Sequence, residues 1–438
     1  MADPFTSTLI PGGFTAVEVE RRRAGRTADE VEVDGLAHAF IAGEGIEMID
    51  ADGRRFIDCR SGTFNLPLGY SHPRLLAAQQ RQRRKLDHLS GTYRHPEVER
   101  LVKRLVGLAP PELSHVHIRS GGGSQAVEGA VKLAHQRTGR SEIVTLWHSH
   151  HGQTIATRSL SGNAVGRAML RASFPGRLAL PDPLCSACHY RLERSTCALR
   201  CASAIGDVVL HEGRDLPAAV LLEPILGAGG NVVPPPGYLE YIRDWCTQND
   251  VLLIFDEIQT GIGRTGHWFA AQHFGVTPDI AVLAKGLGVA AVLSNPSTAG
   301  RLTPNEHAFT FAGDLGRVAL ALETLDVIEE EDLLANAKLV GSRLLHGLDA
   351  LRNWSPIIGE IRGIGLMIGF DVLGRDGVPD AGAARQLSAE ALLEGLIVPP
   401  GHGDRASTLK IRPPLITTPQ QADVIVERLA RATRRVCI

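Results

Sequence analysis

Two apolar runs end on side chains that could do chemistry. The run VLLIFDEIQ, Val251 to Gln259, carries five apolar residues straight into Asp256, Glu257 and Gln259. The run DIAVLAK, Asp279 to Lys285, ends on a lysine followed by Gly286. Runs of this kind read as strands buried on both faces, as in a parallel sheet. In such sheets ligands sit beyond the carboxyl ends of the strands. A lysine at that exit can be desolvated, which lowers its pKa and makes its amine a Schiff-base nucleophile. The plain alternative is a buried stem with the ammonium reaching water. A buried carboxylate such as Asp256 can hold a protonated pyridine nitrogen and so make the ring an electron sink. Gln259 could hydrogen-bond a phenolic oxygen on the same ring. A third run, IRSGGGSQAVEGAVKL, sets Gly122, Gly123 and Ser124 at a strand-to-helix junction. Glycines there let the backbone approach an anion, and the helix N-terminus offers free N–H groups and a positive dipole.

The elements that must position these groups alternate in type. HVHIRSG (115–121), SEIVTLWH (141–148), AAVLLEP (218–224), VLLIFDE and DIAVLAK read as buried strands, with helices such as SQAVEGAVKLAHQ and YLEYIRDWCTQ between them. That alternation predicts an α/β domain with a mostly parallel sheet. The C-terminal third changes character. The long helix LLANAKLVGSRLLHGLDALR leads to a strand, LMIGFDVL. Another helix, AARQLSAEALLEGL, precedes a strand at Leu409–Ile411 and a closing helix ending in RATRR. The expected organisation is an N-terminal segment over 1–65 that joins a smaller α+β domain at 326–438. A large domain spans 66–325, with a Cys-rich insertion at 183–203.

Bulk properties exclude several classes. The 438 residues suffice for two domains or one large domain with an appendage. A composition of 44% hydrophobic and 21% charged residues is that of an ordinary soluble globular chain. A net charge of −2 gives no basic signature for nucleic acid or an anionic membrane. The N-terminus lacks a basic start followed by an apolar core, and no apolar run approaches a membrane span, so the expected location is cytoplasmic.

The stretch VLLIFDEIQTGIGRTGHWFAAQHFGVTPDIAVLAKGLG resembles the signature of class III aminotransferases, within the fold type I pyridoxal 5'-phosphate enzymes. The strand, the Asp-Glu-x-Gln, the G-x-G-R-T-G turn and the lysine occur in register, and the resemblance runs from about Ile46 to the C-terminus. It implies that Lys285 carries the cofactor and shuttles the proton, that Asp256 pairs with the pyridine nitrogen and that Gln259 meets the ring oxygen. Gly122, Gly123 and Ser124 would bind the phosphate, and Glu223 of the EP pair would sit near the cofactor. Thr310, in FTFAGD, would reach the phosphate held by a partner subunit, which implies a homodimer with shared active sites. The expected activity is transfer of an amino group between an amine or amino acid and a ketone, aldehyde or oxo acid. Decarboxylation or racemisation within the same family is the alternative. Local similarity to dialkylglycine decarboxylase supports it, although Thr63, beside Phe64 on the expected substrate side, stands where that enzyme has a glutamine. A non-catalytic metal-bearing assembly protein that keeps the fold is a remote third.

Departures from the family bear on substrate. Where the family stacks an aromatic ring on the pyridine face, this chain has His150, followed by His151; a histidine there can change charge near neutral pH, unless Trp147 or another aromatic takes the role. Ser-Glu-Ala-Asn becomes Ser124-Gln125-Ala126-Val127. The segment after Lys285 is a few residues short. In LKIRPPL, Lys410 takes the place of the arginine that holds substrate carboxylate, and Arg412 abuts the prolines. Either could serve, but a lysine cannot make the bidentate fork. Ala228 replaces the glutamate that masks that arginine in members acting on ω-amines. With both halves of that switch missing, a ketone or aldehyde without an α-carboxylate, or one borne on a carrier or peptide, fits at least as well as an ordinary α-amino acid at both half-reactions.

LCSACHYRLERSTCALRC holds Cys185, Cys188, Cys197 and Cys201 in the spacing C-x2-C-x8-C-x3-C. Four thiolates so close can form a closed tetrahedral zinc site or hold an iron–sulfur cluster. They can equally be four reduced thiols in an insertion. Cys59, Cys246 and Cys437 read as ordinary thiols.

Overall fold

The computed structural model describes residues 9–10, 14–15, 39–162, 176–299, 306–401 and 403–436. Its centre is a seven-stranded sheet. In chain order the strands are β1 (His115–Ser120), β2 (Ile143–Leu146), β3 (Arg177–Leu180), β4 (Ala219–Leu222), β5 (Leu252–Asp256), β6 (Ile280–Leu283) and β7 (Ala290–Ser294). Their spatial order is β1-β7-β6-β5-β4-β2-β3. The pairs β5–β6, β5–β4, β4–β2 and β2–β3 are parallel, and β7 runs antiparallel to both its neighbours.

Every residue of β2, β4, β5, β6 and β7 is buried, which is why these strands read as continuous apolar runs rather than alternating ones. Helices cover both faces. On one side Ala126, Val127, Ala130 and Ala134 of the helix Gly123–Thr138 pack on Ile254 and Val282, in a cluster separate from the larger core on the other. The β6–β7 connection is short and so must reverse direction. Residues 286–294, expected only as a shortened link after Lys285, therefore supply the antiparallel strand.

A second layer flanks this sheet. Ile358–Ile364, Met367–Val372 and Thr408–Ile411 form a three-stranded antiparallel sheet backed by the helices Leu333–Arg352, Ala381–Leu393 and Pro419–Val436. Phe40–Glu44, Glu47–Asp50 and Arg55–Asp58 form an antiparallel meander whose last strand pairs in parallel with Leu396–Ile397. The N-terminal chain is thereby tied to the C-terminal third. Among the described residues no helix is long and apolar enough to cross a membrane.

Candidate active site

Strands β5 and β6 lie side by side, with Asp256 opposite Val282. Asp256 ends β5, and Lys285 follows β6 after one residue, so both project beyond the carboxyl edge of the sheet. They line one cavity of about 570 Å³, together with Gly122, Gly123, Ser124, His150, His151, Glu223 and Gln259. Residues from five separate stretches of sequence therefore converge at one edge.

Lys285 holds a left-handed backbone, φ 38°, at the start of a single 3-10 turn. For a lysine that conformation costs about 1–3 kcal/mol and persists only where the surroundings enforce it. Burial first, then the charge of Arg412, push its amine down to about 8. A useful fraction of neutral amine is thus present near neutral pH. Asp256 is buried, its Oδ1 accepts from the Ile258 N–H at 3.2 Å, and its Oδ2 lies 2.9 Å from His151 Nδ1. His151 is itself buried, and its Nε2 has no partner. His151 was not expected in this role; its adjacency to His150 in WHSHHG was the only signal.

His150 lines the cavity, and its N–H donates to Glu223 Oε1 at 2.8 Å. Burial first, then the charges of Lys285 and His151, push its imidazole down to about 4. The ring is therefore neutral at pH 7, which corrects the expectation of a charge varying there. Trp147 is no substitute: it is exposed, and its ring meets that of His189 at 4.6 Å. Glu223 Oε2 accepts from the Gly227 N–H at 2.9 Å, and burial pushes its carboxyl up to about 7. Gln259 Oε1 is buried without a partner among the described residues.

Of the three polar residues that close VLLIFDEIQ, Glu257 serves the fold. It accepts from the Ala270 and Ala271 N–H groups at 2.8 Å each and from Thr260 Oγ1 at 2.7 Å. A carboxylate at the start of the helix Ala270–Phe274 satisfies donors that the helix itself leaves open.

The glycine-rich turn leaves the first N–H groups of the helix Gly123–Thr138 without a side-chain cap. A Cβ at Gly123 would stand 3.0 Å from Ile258 Cδ1, and one at Gly152 only 2.5 Å from Ser124 Oγ. Ser124 Oγ accepts from the Gln153 N–H at 3.0 Å. This is an anion cradle built of backbone donors.

The other expected residues fall around this centre. Phe64 is buried; Lys285 Nζ stands 5.1 Å and the Arg412 guanidinium 3.5 Å from its ring centroid. Thr63 is exposed and donates its N–H and hydroxyl to Asn65 Oδ1; Asn65 lines the cavity and Thr63 does not. Lys410 is buried and donates to the Gly227 and Ala228 carbonyls at 3.0 and 3.1 Å. Thr310 is exposed, its carbonyl 2.7 Å from His88 Nε2, and it does not line the cavity of its own chain.

Cys185, Cys188, Cys197 and Cys201 are free thiols around a second cavity of about 310 Å³. Nothing in their arrangement supports the zinc or iron–sulfur site that their spacing allows beside the reading as reduced thiols. Among the described residues no group of three or more His, Cys, Asp or Glu is arranged to hold a metal ion. Burial pushes the Cys201 thiol up to about 11 and raises Cys185 as well. Cys59 and Cys246 are buried free thiols, and Cys437 lies outside the described residues.

The residues present fit pyridoxal phosphate. The cradle suits its phosphate, Asp256 suits a pyridinium nitrogen, and the unpartnered Gln259 amide lies in the same cavity as the depressed Lys285 amine. Comparison with known proteins agrees. The class III aminotransferase family matches residues 30–433. The acetylornithine aminotransferase of Methanothermobacter thermautotrophicus is 35% identical over 88% of this chain and 91% of its own. The diaminobutyrate–2-oxoglutarate aminotransferase of Rhizobium meliloti is 33% identical over 91% and 88%. Among solved structures, an amine transaminase from an uncultivated Pseudomonas species in its PLP-bound form superposes with a TM-score of 0.85 at 29% identity, over 100% of this chain and 99% of that one. A transaminase from the marine bacterium Virgibacillus gives 0.85 at 26% identity over 96% and 99%. With the family match covering nearly the whole chain and the fold shared throughout, this protein belongs to the class III aminotransferases, pyridoxal phosphate enzymes of fold type I.

Proposed function

We propose that this aminotransferase moves an amino group between a small amino-acid donor and an oxo-acid acceptor at the cavity formed by Lys285, Asp256 and Gly122–Ser124. The observation that carries the reading is the joint placement of Lys285 and Asp256. The amine is desolvated to about 8, and a buried carboxylate held by His151 lies across the same cavity. When bound, pyridoxal phosphate supplies the electron sink and the carbonyl that takes up the amine. Lys285 Nζ would hold the cofactor and, once displaced, would carry away the proton released at the reacting substrate carbon. Asp256 would pair with the protonated ring nitrogen, and His151 holds Asp256 in place. Gln259 would meet the ring oxygen, and Gly122, Gly123 and Ser124 would bind the phosphate. His150, which lines the cavity, would offer the cofactor ring an uncharged imidazole face. Glu223, tied to His150 and Gly227 by backbone hydrogen bonds, fixes the wall behind it.

Two further parts of the reading concern organisation. The chain divides into a large domain at 66–325 and a small one built from 326–438 with the N-terminal 65 residues; the pairing of Leu396–Ile397 with Arg55–Asp58 supports that grouping. The working unit is a homodimer in which Thr310 of one protomer completes its partner's phosphate site. Exposure of Thr310 and of Phe311, which is 82% exposed, supports an interface there.

The test is Lys285→Ala. The variant should keep its fold and lose both turnover and the visible absorption of lysine-bound pyridoxal phosphate. Turnover at the wild-type rate would refute the assignment.

A further inference from the structure

The second cavity gathers chemistry that amino transfer does not use. It lies between the loop that follows β3 and the start of the helix Arg200–Glu212, and Cys185, Cys188, Cys197 and Cys201 all line it. Two tight turns deliver these thiols. Cys185 and Cys188 flank the turn in CSAC. Cys197 opens a second turn, closed by a bond from the Arg200 N–H to the Cys197 carbonyl at 3.0 Å, and Cys201 follows in the first turn of the helix. The central residues of the second turn, Ala198 and Leu199, have φ 45° and 54°. Left-handed backbone at two successive residues with side chains is strained and persists only where the surroundings enforce it. The chain thus accepts strain at the one turn that brings Cys197 and Cys201 round to the cavity of Cys185 and Cys188.

The thiols are close enough to feel one another. Negative charge on Cys185 is opposed by Cys197 more than by Cys188, and charge on Cys201 by Cys185 and then Cys197. The stronger coupling therefore runs between the two turns and not within the first. Cys185 is the exposed member of the four, and Arg194 beside it favours its thiolate against the burial that opposes it. Cys197 Sγ meets only the Arg194 carbonyl, at 3.6 Å, a weak contact that another sulfur can replace. A disulfide holds its Cα atoms about 4.4–6.8 Å apart, and the cavity between the turns leaves room for them to close. The insertion is also tied to both neighbouring layers. Asp182 accepts from the His148 N–H at 3.1 Å and pairs with the His148 ring, two residues before His150. The Ser186 hydroxyl donates to Glu360 of the small sheet at 2.6 Å.

We propose that this cavity is a reversible dithiol–disulfide site in which Cys185 and Cys197 join the two turns, with a small-molecule disulfide such as glutathione disulfide as the oxidant. The Cys185 thiolate attacks one sulfur of that disulfide, a mixed disulfide forms, and the other half leaves as a thiolate that takes up a proton. Cys197 then gives up its proton and attacks the Cys185 sulfur, which expels the second half as a thiol. The two cysteines together lose two electrons and two protons, and one disulfide becomes two thiols. Excess thiol drives the same steps backward. Once closed, the link turns the insertion into a fixed strap between the small sheet and the segment that carries His150 and His151.

The experiment incubates full-length protein, loaded with pyridoxal phosphate, with glutathione disulfide, blocks the remaining thiols by alkylation and maps tryptic peptides by mass spectrometry. Cleavage after Arg191, Arg194 and Arg200 puts Cys185 with Cys188, Cys197 and Cys201 on three separate peptides. The expected product joins the peptide that ends at Arg191 to Ser195–Arg200, and dithiothreitol removes it. Cys185→Ser should abolish that product, whereas Cys188→Ser and Cys201→Ser should still form it. In the native protein, trypsin should cut after the exposed Arg194 at least about tenfold more slowly once the link has closed the loop that carries it. Thiols that all stay open to alkylation, a mixed disulfide with glutathione that goes no further, or a link in any other pairing would overturn the proposal. So would the same product in Cys185→Ser, or an unchanged rate of cutting at Arg194.

Discussion

His151 Nδ1 and Asp256 Oδ2 lie 2.9 Å apart, both residues buried where they line the cavity. A carboxylate so enclosed needs donors facing it. The pair therefore fixes the position of the group that would meet the cofactor ring. Removing the imidazole with His151→Phe leaves Asp256 short of one donor. Hydrogen bonds to a charged group are worth about 1.5–3 kcal/mol. Cofactor affinity, followed by visible absorption, should fall roughly 10- to 100-fold. His151→Asn, which retains a donor, should lose less.

Lys285 sets a pH dependence with a definite sign. Its folded pKa, pushed down to about 8, lies below the ordinary 10.5, so the folded, unloaded protein binds this proton less tightly than the unfolded chain. The contribution to stability is present above 10.5 and is lost as pH falls through about 8. Comparing thermal midpoints of unloaded wild type and Lys285→Met from pH 7 to 10.5, the variant should hold its largest advantage at the acid end, and the gap should close toward alkaline pH. The rate at which pyridoxal phosphate attaches should rise through about pH 8. Arg412→Leu should move that midpoint upward, because Arg412 is the largest charge term depressing the amine.

Gly152 has φ 144°, and a Cβ there would stand 2.4 Å from Thr157 Oγ1 and 2.5 Å from Ser124 Oγ. Gly152→Ala must displace Ser124 from the phosphate cradle. Weaker binding of pyridoxal phosphate is expected, by about tenfold on the scale of one lost hydrogen bond to an anion, with little change in kcat at saturating cofactor. An unaltered cofactor affinity would remove Ser124 from the phosphate site.

Glu257 offers the contrasting case. Glu257→Ala strips three hydrogen bonds from the start of the helix Ala270–Phe274, and a loss of roughly 2–5 kcal/mol is expected at about 1 kcal/mol or more per bond. The thermal midpoint should fall clearly. Whatever protein remains folded should still show the cofactor's visible absorption, because Glu257 does not line the cavity.

Much of this was legible in the sequence because the chemistry sits where the apolar pattern stops. VLLIFD and DIAVLAK are buried on both faces, and their polar exits mark the edge at which a ligand must bind. The helices Tyr238–Gln248 and Leu333–Arg352 follow from their own periodicity. The strand Ala290–Ser294 was not foreseen, because its five residues carry no boundary signal apart from the turn before them. Asp256 and Glu257 are adjacent and chemically alike, yet one faces the cavity and the other caps a helix; the strand's alternation decides, and local composition does not reveal the partner. The roles of His151 and Lys410 depend on contacts between residues more than a hundred positions apart. Spacing alone suggested a metal at the four cysteines, but spacing does not state how far apart the thiols are held.

The most direct test of the central claim is the visible absorption of the protein loaded with pyridoxal phosphate, recorded during titration with a panel of amino-acid donors, beside Lys285→Ala. The account predicts a lysine-dependent band that bleaches with at least one donor and returns when an oxo acid is added, with no such band in the variant. A band that forms equally in Lys285→Ala, or that no donor bleaches, would contradict it.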